Sequence, residues 1–159
     1  MKQFKFSLLL FGFLICVLSL SCKDQSTVIP EENKVFTKEF IDQNNGYSEA
    51  VVVRNGDTKT IYISGQLGEG VDFESQMRTA LKNLGETLKT SGATFQDVVK
   101  MNTYIVNYSP EILTIFRQVR KEIMGNEKMP ASTLVGVESL ALPEWLIEIE
   151  AVAIIETNP

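Results

Sequence analysis

The sequence predicts an α+β fold: a mixed β-sheet with two helices packed on one of its faces. Three observations lead there. Runs rich in β-branched residues are bounded by turn residues, two other segments carry apolar side chains at helical spacing between capping residues, and the elements follow in the order hairpin, helix, strand, helix, strand, strand. Helices that share one side of a common sheet bury the apolar stripes of both.

Glu49 to Arg54 (Glu-Ala-Val-Val-Val-Arg) and Lys59 to Ser64 (Lys-Thr-Ile-Tyr-Ile-Ser) read as the hairpin, joined by Asn55-Gly56-Asp57-Thr58, whose Asn-Gly favours positive φ. Asp72 is the expected N-cap of a first helix running to about Ser91. Met77, Leu81, Leu84 and Leu88 recur along one stripe, and Gly92 serves as the C-cap glycine. Val98 to Val106 is a strand with partial alternation. Ser109-Pro110-Glu111 opens a second helix with a capping hydroxyl, a proline at the first helical position and an acid suited to the helix dipole. Its expected stripe is Ile112, Ile115, Phe116, Val119 and Ile123, closed by Gly125. Strands at Thr133 to Val137 and Leu146 to Ile155 complete the sheet.

The first 21 residues stand apart from this domain. Lys2 and Lys5 precede an uncharged, mostly apolar run from Phe6 to Leu20, too short for a comfortable membrane span but suited to the core of a signal peptide. It ends at Ser19-Leu20-Ser21-Cys22, similar to a bacterial lipobox in which Cys22 is lipidated. Leu18 sits four rather than three residues before that cysteine. An ordinary secretory signal or an uncleaved anchor would read much the same. Residues 22–34 form a polar linker containing Pro30, and residues 35–159 form one domain, long enough for a single core. The expected product is an exported, membrane-anchored lipoprotein at the periplasmic or outer-membrane face.

Composition narrows the chemistry. Loss of Lys2 and Lys5 leaves 13 basic against 20 acidic residues, a net charge of −7. The chain has no histidine, and both cysteines, Cys16 and Cys22, precede the domain. A disulfide framework, a Cys/His zinc site, a cysteine nucleophile and a histidine base are thereby excluded from the domain. A carboxylate-only metal site stays open in principle, but no acidic cluster has calcium-loop spacing; no metal is expected, and no cofactor. An acidic chain without a basic stripe is a poor nucleic-acid binder. Gly65, Gly68 and Gly70 lack phosphate-loop spacing and read as a flexible strand-to-helix connection.

Four motifs occur in register. Asn45-Gly-Tyr-Ser-Glu-Ala50 precedes Ile63-Ser-Gly-Gln66. Ser91-Gly-Ala-Thr-Phe-Gln-Asp-Val-Val-Lys100 follows. Pro130-Ala131, a Leu142-Pro143 turn and Ile147-Glu-Ile-Glu-Ala151 close the series. Together they resemble the Rid family (reactive intermediate deaminases, YjgF/RidA-type or L-PSP endoribonuclease-like proteins), across nearly the whole domain. The resemblance implies a chorismate-mutase-like subunit, a homotrimer, and a small-molecule cleft at each subunit interface. Typical members hydrolyse 2-imino acids to 2-keto acids and ammonia.

Carried over position by position, the resemblance implies Glu150 as the catalytic carboxylate that positions water, and Tyr47, Ser64, Gly65, Ser132 and Thr133 as substrate-binding residues. By alternation alone Glu148 and Glu150 could equally face solvent or a trimer channel, and Tyr47 could be a core-rim residue. Trp145 reads as packing or subunit surface. Ser132 stands where the family carries the arginine that grips the substrate carboxylate by two parallel charge-assisted bonds. A hydroxyl offers one neutral donor instead, and losing such a bond costs about 1.5–3 kcal/mol. The chain thus resembles an arginine-lacking branch, expected to bind a neutral or cationic ligand without typical deaminase activity. The alternative is a 2-iminobutanoate/2-iminopropanoate-type deaminase with a substitute cation. Arg54, Arg78, Arg117 and Arg120 are remote by element, which leaves Lys128, four residues before Ser132, as the nearest candidate.

Overall fold

The computed structural model describes residues 36–44 and 46–157. Six strands form one mixed sheet: β1 (Phe36–Asn44), β2 (Tyr47–Asn55), β3 (Thr58–Leu67), β4 (Val98–Val106), β5 (Ala131–Val137) and β6 (Ile147–Glu156). The helices are α1 (Phe73–Thr90) and α2 (Pro110–Met124), with a 3₁₀ turn at Phe95–Asp97 before β4. The sheet order is β1-β2-β3-β6-β4-β5, antiparallel throughout except for the parallel pair β4 and β5. The expected α+β class and the two helices are observed. The predicted signal peptide, Cys22 and the linker lie outside the described residues.

The local signals act as their chemistry requires. Asp72 caps α1 by accepting from Ser75 N at 2.8 Å, and Ser75 Oγ answers by accepting from Asp72 N. At the other end Gly92, at φ 79°, lets the chain turn back so that Ala93 N reaches Leu88 O at 2.8 Å. Met77, Leu81, Leu84 and Leu88 are completely buried. Along α2 only Phe116, Val119 and Met124 are fully covered, while Ile112, Ile115 and Ile123 pack at the margin of the core. Facing them from the sheet are Ala50, Val52, Ile61, Ile63, Met101, Ile105, Ile147, Ile149, Ala151 and Ala153, the helix-side residues of the four central strands.

Two features depart from the sequence expectation. β1 adds a strand before the predicted hairpin, paired antiparallel with β2 by way of a turn at Gly46, so β2 begins at Tyr47 rather than Glu49. Every β1 residue but Ile41 is exposed, and an edge strand without a covered face leaves no burial alternation to read. The glycine connection after β3 is also far from flexible. A Cβ at Gly68 would fall 1.9 Å from Gln76 O, so this segment lies directly on the backbone of α1. Gln76, buried, then ties α1 to the approach of β6 by accepting from Leu146 N and donating to Glu144 O, both at 2.8 Å.

Candidate functional site

Strand alternation divides β6 cleanly. Ile147, Ile149, Ala151 and Ala153 face the helices and are buried, so Glu148, Glu150 and Val152 face the opposite side of the sheet. On β4 the same rule buries Met101, Thr103 and Ile105 and turns Asn102 and Tyr104 toward that open face. Registers bring these residues together: Asn102 is opposite Glu150 on one side and opposite Thr133 on the other. Asn102 Nδ2 donates to Glu150 Oε1 at 2.6 Å, and the Tyr104 hydroxyl approaches the same oxygen at 3.4 Å.

The other flank of Glu150 is shaped by a bulge in β3. Ile63 pairs with Ala151 and Gln66 with Ile149, so Ser64 and Gly65 together oppose the single residue Glu150. Ser64 Oγ is tied down by donating to Ser48 O at 2.6 Å. Gly65 leaves room for a neighbour: a Cβ there would fall 1.7 Å from Glu148 Oε1. Burial, reinforced by the charge of Glu150, pushes the Glu148 carboxyl up from its ordinary value. The Glu150 charge, with burial behind it, likewise pushes up the Tyr104 phenol.

Beside Glu150 lies a cavity of about 200 Å³ lined by Tyr62, Ile63, Lys100, Asn102, Glu150, Ala151 and Val152. That is below the roughly 300–1,000 Å³ of drug-sized pockets and suits a small metabolite. Lys100 is its one cationic lining residue, and its Nζ donates to Thr133 Oγ1 at 2.7 Å. The arrangement offers an ordered carboxylate that can hold a water or a polarised nitrogen, an amide that fixes that carboxylate, and a cation nearby. Among the described residues no group of three or more His, Cys, Asp or Glu could hold a metal ion.

The family model described as Endoribonuclease L-PSP matches residues 37–155. The chain belongs to that family. Its relatives include a human 2-iminobutanoate/2-iminopropanoate deaminase, 39% identical over 121 residues and covering 68% of this chain and 79% of the relative. The RutC family protein YjgH of Escherichia coli is 34% identical over 114 residues, covering 66% and 81%. Among solved structures, a YjgF/YER057c/UK114 family member from Mycobacterium tuberculosis has a TM-score of 0.64 at 29% identity, covering 75% of this chain and all of that one. RidA from a Psychrobacter species has a TM-score of 0.61 at 28% identity, covering 71% and 91%.

In this L-PSP-type chain the residues singled out by sequence fall into four places. Glu150, Ser64, Gly65 and Thr133 meet on the open face. Ser132 does not join them: it is in register with Met101, on the helix side of the edge strand, and is exposed there. Tyr47 lines a separate hollow with Phe40, Gln43, Asn44, Gly46 and Ser48, and its hydroxyl donates to Glu49 Oε1 at 3.1 Å. Lys128 is exposed and absent from the lining of the Glu150 cavity. Sequence reasoning passed over Lys100, Asn102 and Tyr104. Their signal was present as the polar members of an alternating strand, but only the β4–β6 register shows that this alternation meets Glu150.

Proposed function

We propose that the chain is a RidA-like homotrimeric small-molecule-binding protein whose ligand sits against Glu150, without the arginine grip of a typical 2-imino acid deaminase. The observation that carries this reading is the Asn102–Glu150 hydrogen bond, which holds a carboxylate in one orientation beside a cavity of metabolite size. Ser132, a short neutral side chain on the other face of β5, offers nothing equivalent to an arginine fork. Assembly is supported by the uncovered sheet face: Phe40, Val51, Tyr62 and Val152 form a continuous apolar row across four strands, with Phe40 53% and Tyr62 52% exposed. The lipobox-like Ser19-Leu20-Ser21-Cys22 supports tethering at a membrane, and three acyl chains per trimer would make that anchor effectively stable. An acidic, histidine-free domain does not favour the ribonuclease activity in the family's description.

A second reading, deamination of 2-iminobutanoate or 2-iminopropanoate, is favoured by the names of several relatives at 33–39% identity. One assay separates the two. Imino acids are generated in situ by an amino-acid oxidase, and keto acid release is followed with the full-length protein and with Glu150→Gln. The first reading expects no acceleration by the natural protein over the uncatalysed rate. Acceleration by the natural protein that is lost in Glu150→Gln would establish the second.

A further inference from the structure

We propose that the cavity at the C-terminal end of α2, walled by Arg117, Arg120 and Lys121, seats the phosphate of an anionic phospholipid headgroup and so docks the domain on a membrane surface. The inference lies outside the candidate site on the open sheet face, and it rests on the tethering proposed above for its choice of occupant. The cavity measures about 260 Å³ and is completed by Gly125, Asn126 and Met129. Gly125, at φ 80°, turns the chain back from the helix so that Asn126 and Met129 supply the far wall.

Spacing sets Arg117, Arg120 and Lys121 on one face of α2, where like charges three and four residues apart repel one another. The helix dipole accounts for Lys121 in the last turn but fades before it reaches Arg117. Among the described residues no carboxylate pairs with any of the three. Glu122, the adjacent acid, has its two oxygens taken by Arg78 at 2.7 Å and Gln118 at 3.0 Å. Arg120 lies half-buried with its guanidinium carbon 5.1 Å from the centre of the Phe116 ring, which fixes the plane of a fork suited to phosphate. Burial and the charge of Arg117 both press against its positive charge, a cost that an anion in the cavity would relieve. Three cations without a carboxylate partner, in a chain with 20 acidic residues, point to an anion from outside it.

The strand registers favour a lipid as its source. Phe36 opposite Asn55, Thr58 opposite Glu156 and Lys100 opposite both Val152 and Ala131 put the starts of β1 and β5 at one end of the sheet, and Met129 is two residues before β5. A chain anchored ahead of β1 therefore enters the domain at the end that carries the cavity. Glu69, Glu138 and Glu144 lie in the connections at the opposite end, away from an anionic surface that would repel them.

The test is flotation of the full-length protein, purified from a bacterial host, with vesicles of phosphatidylcholine alone or of phosphatidylcholine containing phosphatidylglycerol. The natural protein should favour the anionic vesicles. Arg117→Gln, Arg120→Gln and Lys121→Gln should each reduce that preference roughly fivefold, the worth of one basic residue beside an anionic surface. Partition onto phosphatidylcholine alone should be unchanged. If the preference lost in the triple variant returns on adding Glu69→Gln, Glu138→Gln and Glu144→Gln, net charge alone drives it and the proposal is overturned. Equal partition of the natural protein onto both vesicles also overturns it; inorganic phosphate binding that calorimetry finds lost in the triple variant would then mark a free-anion site. The mass of the purified protein reports acylation of Cys22 separately. Equal partition by an acylated protein leaves the tether without the dock, whereas a preference that a non-acylated protein loses in the triple variant upholds the dock without the tether.

Discussion

Glu148 and Glu150 sit two residues apart on one strand, yet their surroundings treat them differently. Glu150 accepts from Asn102 and Tyr104, whereas Glu148 is half-buried over Gly65 and its carboxyl is pushed up, by burial first and then by Glu150. A carboxyl raised in the fold binds its proton more tightly when folded. Its contribution to stability is therefore complete below the unfolded value of 4.5 and is lost as pH rises through the higher folded value. Glu148→Gln removes that loss, so the variant should gain thermal stability over the natural protein on moving from pH 4 to pH 7. Melting curves across this range check the point, and an unchanged difference between the two proteins would contradict it. Sequence alternation placed both glutamates on one face; it carried no information about which would be hydrogen-bonded and which desolvated.

At the level of elements, the connection from β3 to α1 is the most constrained part of the fold. Gly68 lies against the first turns of α1, where a Cβ would also come 2.7 Å from Ala80 N. These are backbone atoms that cannot swing aside. Gly68→Ala should destabilise the protein by about 2 kcal/mol or more, read as a lowered denaturant midpoint. Gly65→Ala presses instead on the movable end of the Glu148 side chain, so it should cost less. The helices were legible because caps and stripes are local: Asp72, Ser109, Gly92 and Gly125 act within a few residues of where they stand. β1 was not legible, because Phe36–Asn44 has neither face covered within one chain.

For the whole molecule, the open sheet face carries both the candidate site and an apolar surface, including Tyr62, which belongs to both. Covering that face by other copies would remove apolar area from water and close the cavity with the same contacts. Light scattering should report a trimer, and Tyr62→Glu should shift the population toward monomer while leaving the helical circular-dichroism signal unchanged, since Tyr62 lies opposite the helix-side core. A monomeric natural protein, or a Tyr62→Glu protein that remains trimeric, would count against assembly through this face.

The sequence by itself determined the α+β class, the two helices with their caps, the membership signalled by four motifs in order, and the face on which Glu150 lies. Those properties depend on neighbours within a turn of helix or on the two-residue period of a strand. Only the tertiary structure decided which residues meet Glu150. The β4–β6 register brings Asn102 and Tyr104, the β3 bulge brings Ser64 and Gly65, and the parallel β4–β5 register brings Thr133 while turning Ser132 to the other face. Lys100 emerges from the same geometry, 50 positions from Glu150 in sequence and beside it in the cavity. Pairing between distant strands sets these contacts, and a shift of one residue would reverse every one of them.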